Sequence, residues 1–129
     1  MFQLSICVIM KNEEKHIKEF LEAIRKHFKG SAYELVLLDT GSTDRTLEIA
    51  GNYTDKIFHF EWINDFSAAR NFSLSCASHD WILVLDCDEY VEKVDWSCFE
   101  TMARQYPDGV GLLARKNHYA MNGTESIYT

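Results

Sequence analysis

Apolar residues come along this chain in short, dense runs, and the stretches between the runs carry a helical repeat. Leu4–Met10 (LSICVIM), Tyr33–Asp39 (YELVLLD), Lys56–Phe60 (KIFHF), Trp81–Leu85 (WILVL) and Gly109–Arg115 (GVGLLAR) are brief, rich in β-branched and large apolar residues, and read as strands. After the first run, Ile17, Leu21, Ile24 and Phe28 recur at helical spacing, with Phe20 widening the stripe. Asn12 is the expected cap of this helix, Glu13 and Glu14 its acidic first turn, and Gly30 its close. A short helix follows the second strand and ends near Gly51. DFSAARNFSLSCAS predicts a helix capped by Asp65, and DWSCFETMARQY one capped by Asp95.

Strand and helix therefore alternate, and the strands are continuously apolar rather than alternating. That pattern predicts an α/β fold of three layers, α/β/α, with a mostly parallel sheet covered on both faces. No linker, repeat or low-complexity segment interrupts residues 1–129, which reads as a single domain. In such folds ligands bind beyond the carboxyl ends of the strands, where strand order reverses. If the chain winds outward through three strands and returns to place the fourth beside the first, the crevice lies between Met10–Glu13 and Asp86–Asp88, bordered by Asp39.

Composition narrows the partners. The formal charge is −7, which argues against nucleic acid, whose affinity comes largely from Lys and Arg on phosphates. No apolar run reaches the length of a membrane span, and the opening MFQLSICVIMKNEE lacks a basic start and a small-residue cleavage site. Cys7, Cys76, Cys87 and Cys98 form no CxxC pair and are expected as free thiols in a cytoplasmic protein.

The candidate chemistry sits at the strand ends. WILVLDCDEYV closes an apolar strand with Asp86, Asp88 and Glu89, three carboxylates in four positions. If Asp86–Asp88 stay extended, both aspartates project to one side, about 7 Å apart. Hard cations prefer oxygen ligands, so bound manganese or magnesium would neutralise these carboxylates and bridge them to a diphosphate. The plain alternative is a solvated turn. In VLLDTGSTDRT, Asp39 ends a strand where a carboxylate can accept from a ribose hydroxyl or a base N–H, while Ser42, Thr43 and Asp44 suit turn and cap positions. Arg70, inside a small-residue apolar helix, suits a phosphate or a planar base, or else a buried carboxylate. Lys11 and Glu13 follow the first strand directly. Trp62 and Trp96 read as packing residues that can also flank the cleft.

CVIMKNEE, LLDTGSTDRT and FSAARNFSLSCASHDWILVLDCDEYV, taken in that order and spacing, resemble the nucleotide-sugar half of family 2 glycosyltransferases, which have the GT-A fold with a Rossmann-like nucleotide-binding half. The likeness covers about residues 3 to 95 and is greatest to the bacterial branch of lipopolysaccharide core β-1,4-glucosyltransferases and their tetratricopeptide-linked relatives. It implies inverting transfer from a nucleotide sugar, a UDP-sugar in most of the family, to a glycan or lipid-linked acceptor in cell-envelope polysaccharide synthesis. It also implies roles. Asp39 meets the base or ribose, Lys11 and Glu13 border the nucleoside, and Arg70 approaches the base or phosphates. Asp86 contacts ribose and the metal shell, and Asp88 ligates the metal. A carboxylate base would lie well after the DxD pair in the acceptor half, and the residues after Asp88 offer no convincing one. The expectation is therefore an amino-terminal donor-binding part. Location at the inner face of the membrane and self-association stay open. A haloacid dehalogenase-type phosphatase also ends a strand in DxD, but usually its first, and a non-catalytic nucleotide-binding module is the remaining alternative.

Overall fold

The computed structural model describes residues 3–88, 91, 95–105, 115–119 and 124–128. They fall into two compact units, Met1–Trp96 and Ser97–Thr129. In the first, β1 (Leu4–Met10), β2 (Tyr33–Asp39), β3 (Ile57–His59) and β4 (Trp81–Asp86) form one parallel sheet in the order β3-β2-β1-β4. The outward winding and the return of the fourth strand to the first are as expected.

The topology assigns the helices to faces. A right-handed crossover carries α1 (Ile17–His27) and α2 (Thr46–Ala50) over one face as the chain moves from β1 to β3. The return from β3 to β4 runs the opposite way, so α3 (Phe66–Ser75) covers the other face. Contacts agree: α1 touches α2, α3 touches β1 and β2, and the Cys7 thiol lies 3.9 Å from the Ser73 carbonyl oxygen. The first unit is thus α/β/α.

Burial follows position in the sheet. Ile6, Cys7 and Val8 in β1 and Val36, Leu37 and Leu38 in β2 are fully covered, because these strands are central and flanked on both faces. Removing such aliphatic side chains from water stabilises the fold by about 1.5–3 kcal/mol each. Ile17, Phe20, Leu21, Ile24 and Phe28 supply the stripe from α1. Phe28 meets Trp96 edge-to-face at 6.5 Å, a packing role for that indole. The apolar run of β4 predicts a buried strand, yet Val84 is 40% exposed. The correction has a geometric reason: β4 is at the sheet edge among the described residues, with a strand on one side only.

Gly30 (φ 81) closes α1 in the left-handed region, as its type predicts. Asn12 does not cap it. The helix starts five residues later, after His16, and Asn12 itself sits at φ 52. Asp65 does cap α3, accepting from the Ala68 N–H at 3.1 Å. The second unit holds α4 (Trp96–Gln105) from Ser97 onward and an antiparallel pair, β5 (Arg115–Tyr119) and β6 (Thr124–Tyr128). The expected strand Gly109–Arg115 lies outside the described residues except for Arg115, which opens β5.

A buried carboxylate ties the amino ends of the strands together. Glu34, whose side chain is 5% exposed, faces Ser5 across β1 and β2. Its carboxylate accepts from Ser5 Oγ at 2.6 Å, the Ser78 N–H at 2.6 Å and Lys56 Nζ at 2.6 Å. Burial pushes the Glu34 carboxyl up, but the bonds from Lys56, Ser5 and Ser78 outweigh it and hold the group at about 2. A depressed carboxyl contributes stability above its unfolded value of 4.5 and loses it as pH falls from there to about 2. Glu34→Ala, which strands these donors, should destabilise the protein by roughly 3 kcal/mol, the low end for a broken buried ion pair because Lys56 is half exposed. Urea unfolding at pH 7 checks this. The wild type should lose stability more steeply than the variant between pH 4.5 and 2.

Candidate functional site

The carboxyl ends of β1, β2 and β4 emerge side by side. Met10 is in register with Asp39 and Ile9 with Asp86. Crossovers leave β1 toward β2 on one side, while β4 arrives on the other, so the gap between β1 and β4 is the switch point.

Two strand-end loops are hydrogen-bonded to each other over this edge. The Asn12 N–H donates to Ser42 Oγ (2.9 Å), the Glu13 N–H to Thr46 Oγ1 (2.8 Å) and the Glu14 N–H to Asp44 Oδ2 (3.3 Å). In return the Thr43 N–H donates to Asn12 Oδ1 at 2.8 Å. Asp44 also accepts from the Thr46 hydroxyl and the Thr46 N–H, and these bonds lower its pKa. The residues that close β2 therefore supply the acceptors for amides that α1 leaves unpaired before its start.

Asp39 organises the second loop from beneath. It is 3% exposed. Its Oδ2 accepts from the Gly41 and Ser42 N–H groups at 3.1 and 3.0 Å, and Oδ1 accepts from the Ser42 hydroxyl. Gly41 (φ 116) supplies the backbone angle this turn requires.

Above the loops lies a cavity of about 230 Å³ lined by Ile9, Met10, Lys11, Glu13, Thr40, Trp62 and Phe66. The Trp62 indole N–H donates to Asn64 Oδ1 at 3.1 Å, and Asn64 adopts φ 58. The Arg70 guanidinium lies 5.1 Å from the Phe66 ring centre. Its Nη1 is buried with no hydrogen-bond partner among the described residues. The expected alternative, a buried carboxylate paired with Arg70, is absent among the described residues.

The other side of the site is acidic. Burial raises the Glu13 carboxyl; His16 opposes this, while Asp88, Asp44 and Asp86 add to it. Cys87 is 3% exposed and its thiol is pushed up to about 12, first by burial and then by Glu13, Asp86 and Asp88. The strand ends at Asp86 and the backbone turns through Cys87 and Asp88, so the extended spacing of about 7 Å does not apply. Asp86 and Asp88 are nevertheless both exposed around the buried thiol. These are hard oxygen donors crowded enough to repel, and they fit a hard divalent cation. Among the described residues no three His, Cys, Asp or Glu side chains converge closely enough to hold a metal alone. Magnesium is commonly held by one or two carboxylates with substrate phosphates completing its shell, and this pair would supply only the carboxylates.

The structure thus brings Lys11 and Glu13 to one cavity wall, seats Asp39 under the loop beside Thr40, sets Arg70 behind Phe66, and places Asp86 and Asp88 within electrostatic reach of Glu13. Sequence reasoning missed the acceptor roles of Ser42, Thr46 and Asp44 toward residues 12–14. The available signal was the run of short polar side chains after Gly41. It also assigned Asn12 to the helix rather than to this clasp.

Residues 5–124 match the family model described as Glycosyl transferase family 2. A TPR repeat-containing protein of Synechococcus elongatus is 42% identical over 97 residues, covering 75% of this chain and 23% of its own length. The SPbeta prophage-derived glycosyltransferase SunS of Bacillus subtilis is 34% identical over 99 residues, covering 75% of this chain and 22% of its own. The crystal structure of Staphylococcus aureus TarS 1–349 in complex with UDP superimposes with a TM-score of 0.65 at 23% identity, over 98% of this chain and 46% of that one. The chain spans less than a quarter of the length of these two relatives.

The clasp yields a paired test. Asn12→Gly keeps the left-handed angle accessible and removes the side-chain bonds, costing about 1–2 kcal/mol. Asn12→Ala removes the same bonds and adds a left-handed penalty of about 1–2 kcal/mol. Urea unfolding should rank Ala as the less stable; equal stabilities would mean that the angle at residue 12 carries no strain.

Proposed function

The chain belongs to glycosyl transferase family 2, and on that premise we propose that residues 1–129 form a nucleotide-sugar-binding domain of a metal-dependent, inverting glycosyltransferase. The proposed donor is a UDP-sugar and the proposed acceptor a glycan or lipid-linked glycan of the cell envelope, in the branch with lipopolysaccharide core glucosyltransferases and tetratricopeptide-linked relatives. The TPR-containing relative and the UDP complex of TarS support this reading. The proposed compartment is the cytoplasm, in keeping with four free cysteines.

One observation carries it: Glu13 belongs both to the cavity wall and to the acidic group with Asp86 and Asp88. A ligand with a flat organic end and an anionic end fits across the two, provided a cation accompanies the anion. Asp88 is the proposed direct ligand of manganese or magnesium and Asp86 the contact to ribose and the metal shell. Lys11 and Glu13 border the nucleoside. Asp39 fixes the loop through Gly41 and Ser42, and its remaining acceptor capacity faces the base or ribose. Arg70, with Nη1 unpartnered among the described residues, is the proposed donor to base or phosphate oxygens. When bound, the cation supplies Lewis-acid stabilisation of charge building on the leaving diphosphate. No residue is assigned as general base.

Calorimetry with UDP tests the reading. Manganese should tighten binding at least about ten-fold over a chelated sample, a difference of about 1.4 kcal/mol. Asp88→Asn with manganese should bind like the chelated wild type. Equal UDP affinity with and without manganese would overturn the bridging role of the aspartates.

A further inference from the structure

We propose that Trp62 is the wall against which the planar base of the nucleotide stacks, and that Asn64 holds the indole in place for it. This rests on the donor-binding reading above and assigns a residue that none of the strand-end motifs contains.

The indole is 38% exposed yet lines the cavity, on the connection between β3 and α3. A large aromatic left in water forgoes much of the stabilisation that burial would bring. Its one polar group is already satisfied, because the indole N–H donates to Asn64 Oδ1 at 3.1 Å. Asn64 reaches that position through a left-handed backbone (φ 58), which Asn tolerates better than most residues. The ring is therefore fixed by its edge, and its remaining recognition surface is the π face.

The cavity that the indole lines is asymmetric. Trp62 and Phe66 form an apolar side with Ile9 and Met10, and Lys11 and Glu13 form a polar one. A ligand with an aromatic face and hydrogen-bonding groups around its rim matches these walls. A nucleobase has that form. A pyranose ring can also stack on an indole, but location decides between them. The cavity lies at the ends of β1 and β2, whereas the paired aspartates end β4, on the far side of β1 from β2. A nucleoside diphosphate with its phosphates toward Asp86 and Asp88 carries its base away from β4, toward Trp62. An acceptor sugar must instead approach the sugar–phosphate bond, on the β4 side.

The experiment compares wild type, Trp62→Ala, Trp62→Leu and Trp62→Phe in the 129-residue chain, with UDP, uridine and inorganic diphosphate as probes in the presence of manganese. Trp62→Ala and Trp62→Leu should weaken UDP and uridine by a similar factor, roughly ten-fold, the scale of one base–aromatic stack. Both should bind inorganic diphosphate within about two-fold of wild type, since the stack does not touch the phosphates. Trp62→Phe should retain most of the nucleoside affinity. Thermal melting identifies any variant that fails to fold, and Trp62→Leu, which keeps apolar bulk, carries the test if Trp62→Ala does not fold. Unchanged UDP affinity in folded Trp62→Ala or Trp62→Leu overturns the stacking role and leaves the donor-binding reading standing. So does an equal loss for inorganic diphosphate. A wild type that binds neither UDP nor uridine overturns both.

Discussion

A peptide amide at the end of a strand needs an acceptor, and the amides of residues 12 to 14 find theirs in side chains some thirty residues further on. This clasp is the constraint on which the site depends. It fixes where Lys11 and Glu13 emerge, and it sets the direction of α1, which begins only after the last clasped residue. The reciprocal bond from Thr43 to Asn12 Oδ1 means that neither loop can shift alone. Beneath them, Asp39 holds the turn from within the core end of β2. A single aspartate thus couples sheet and loop, and its exposure of only 3% reflects that structural task.

The second constraint is electrostatic. The fold gathers Glu13, Asp44, Asp86 and Asp88 at one edge, where burial first, and then repulsion from Asp88, Asp44 and Asp86, raises the Glu13 carboxyl. At the opposite end of the sheet, Glu34 is more deeply buried, but three donors surround it and its carboxyl is depressed. The ionised form of the same residue type is therefore favoured at one end by three donors and disfavoured at the other by burial and neighbouring carboxylates. A bound cation would offset the repulsion among these carboxylates, which connects the proposed cofactor to the folded chain's own energetics.

Much of this was legible in the residues. The bounds of β1 and β2, the α1 stripe, the Asp65 cap, the strand order and the meeting of Met10–Glu13 with the end of β4 all follow from apolar runs, helical spacing and crossover rules. What was not legible depended on tertiary partners. Asn12 satisfies every local criterion for a helix cap, yet Thr43, distant in sequence, offers it a better-placed donor. WILVL has the composition of a central strand, but edge or centre is set by the neighbours, and Val84 is left exposed. Asp86–Asp88 read as extended because periodicity says nothing about where a strand stops turning. Trp62 reads as a packing residue that can also flank the cleft, since an aromatic in a connection looks alike whether it packs inward or faces a cavity.

The proposed site has nucleotide and cation meeting where β1, β2 and β4 end. Paramagnetic broadening by manganese, followed in ¹⁵N-resolved amide spectra of the chain with UDP present, tests it most directly. The amides of Glu13, Asp86, Cys87 and Asp88 should broaden first, while those of Ser5, Glu34 and Ser78 at the other end of the sheet persist. Broadening centred on the Ser5–Glu34–Ser78 end, or spread evenly over the sheet, would contradict it.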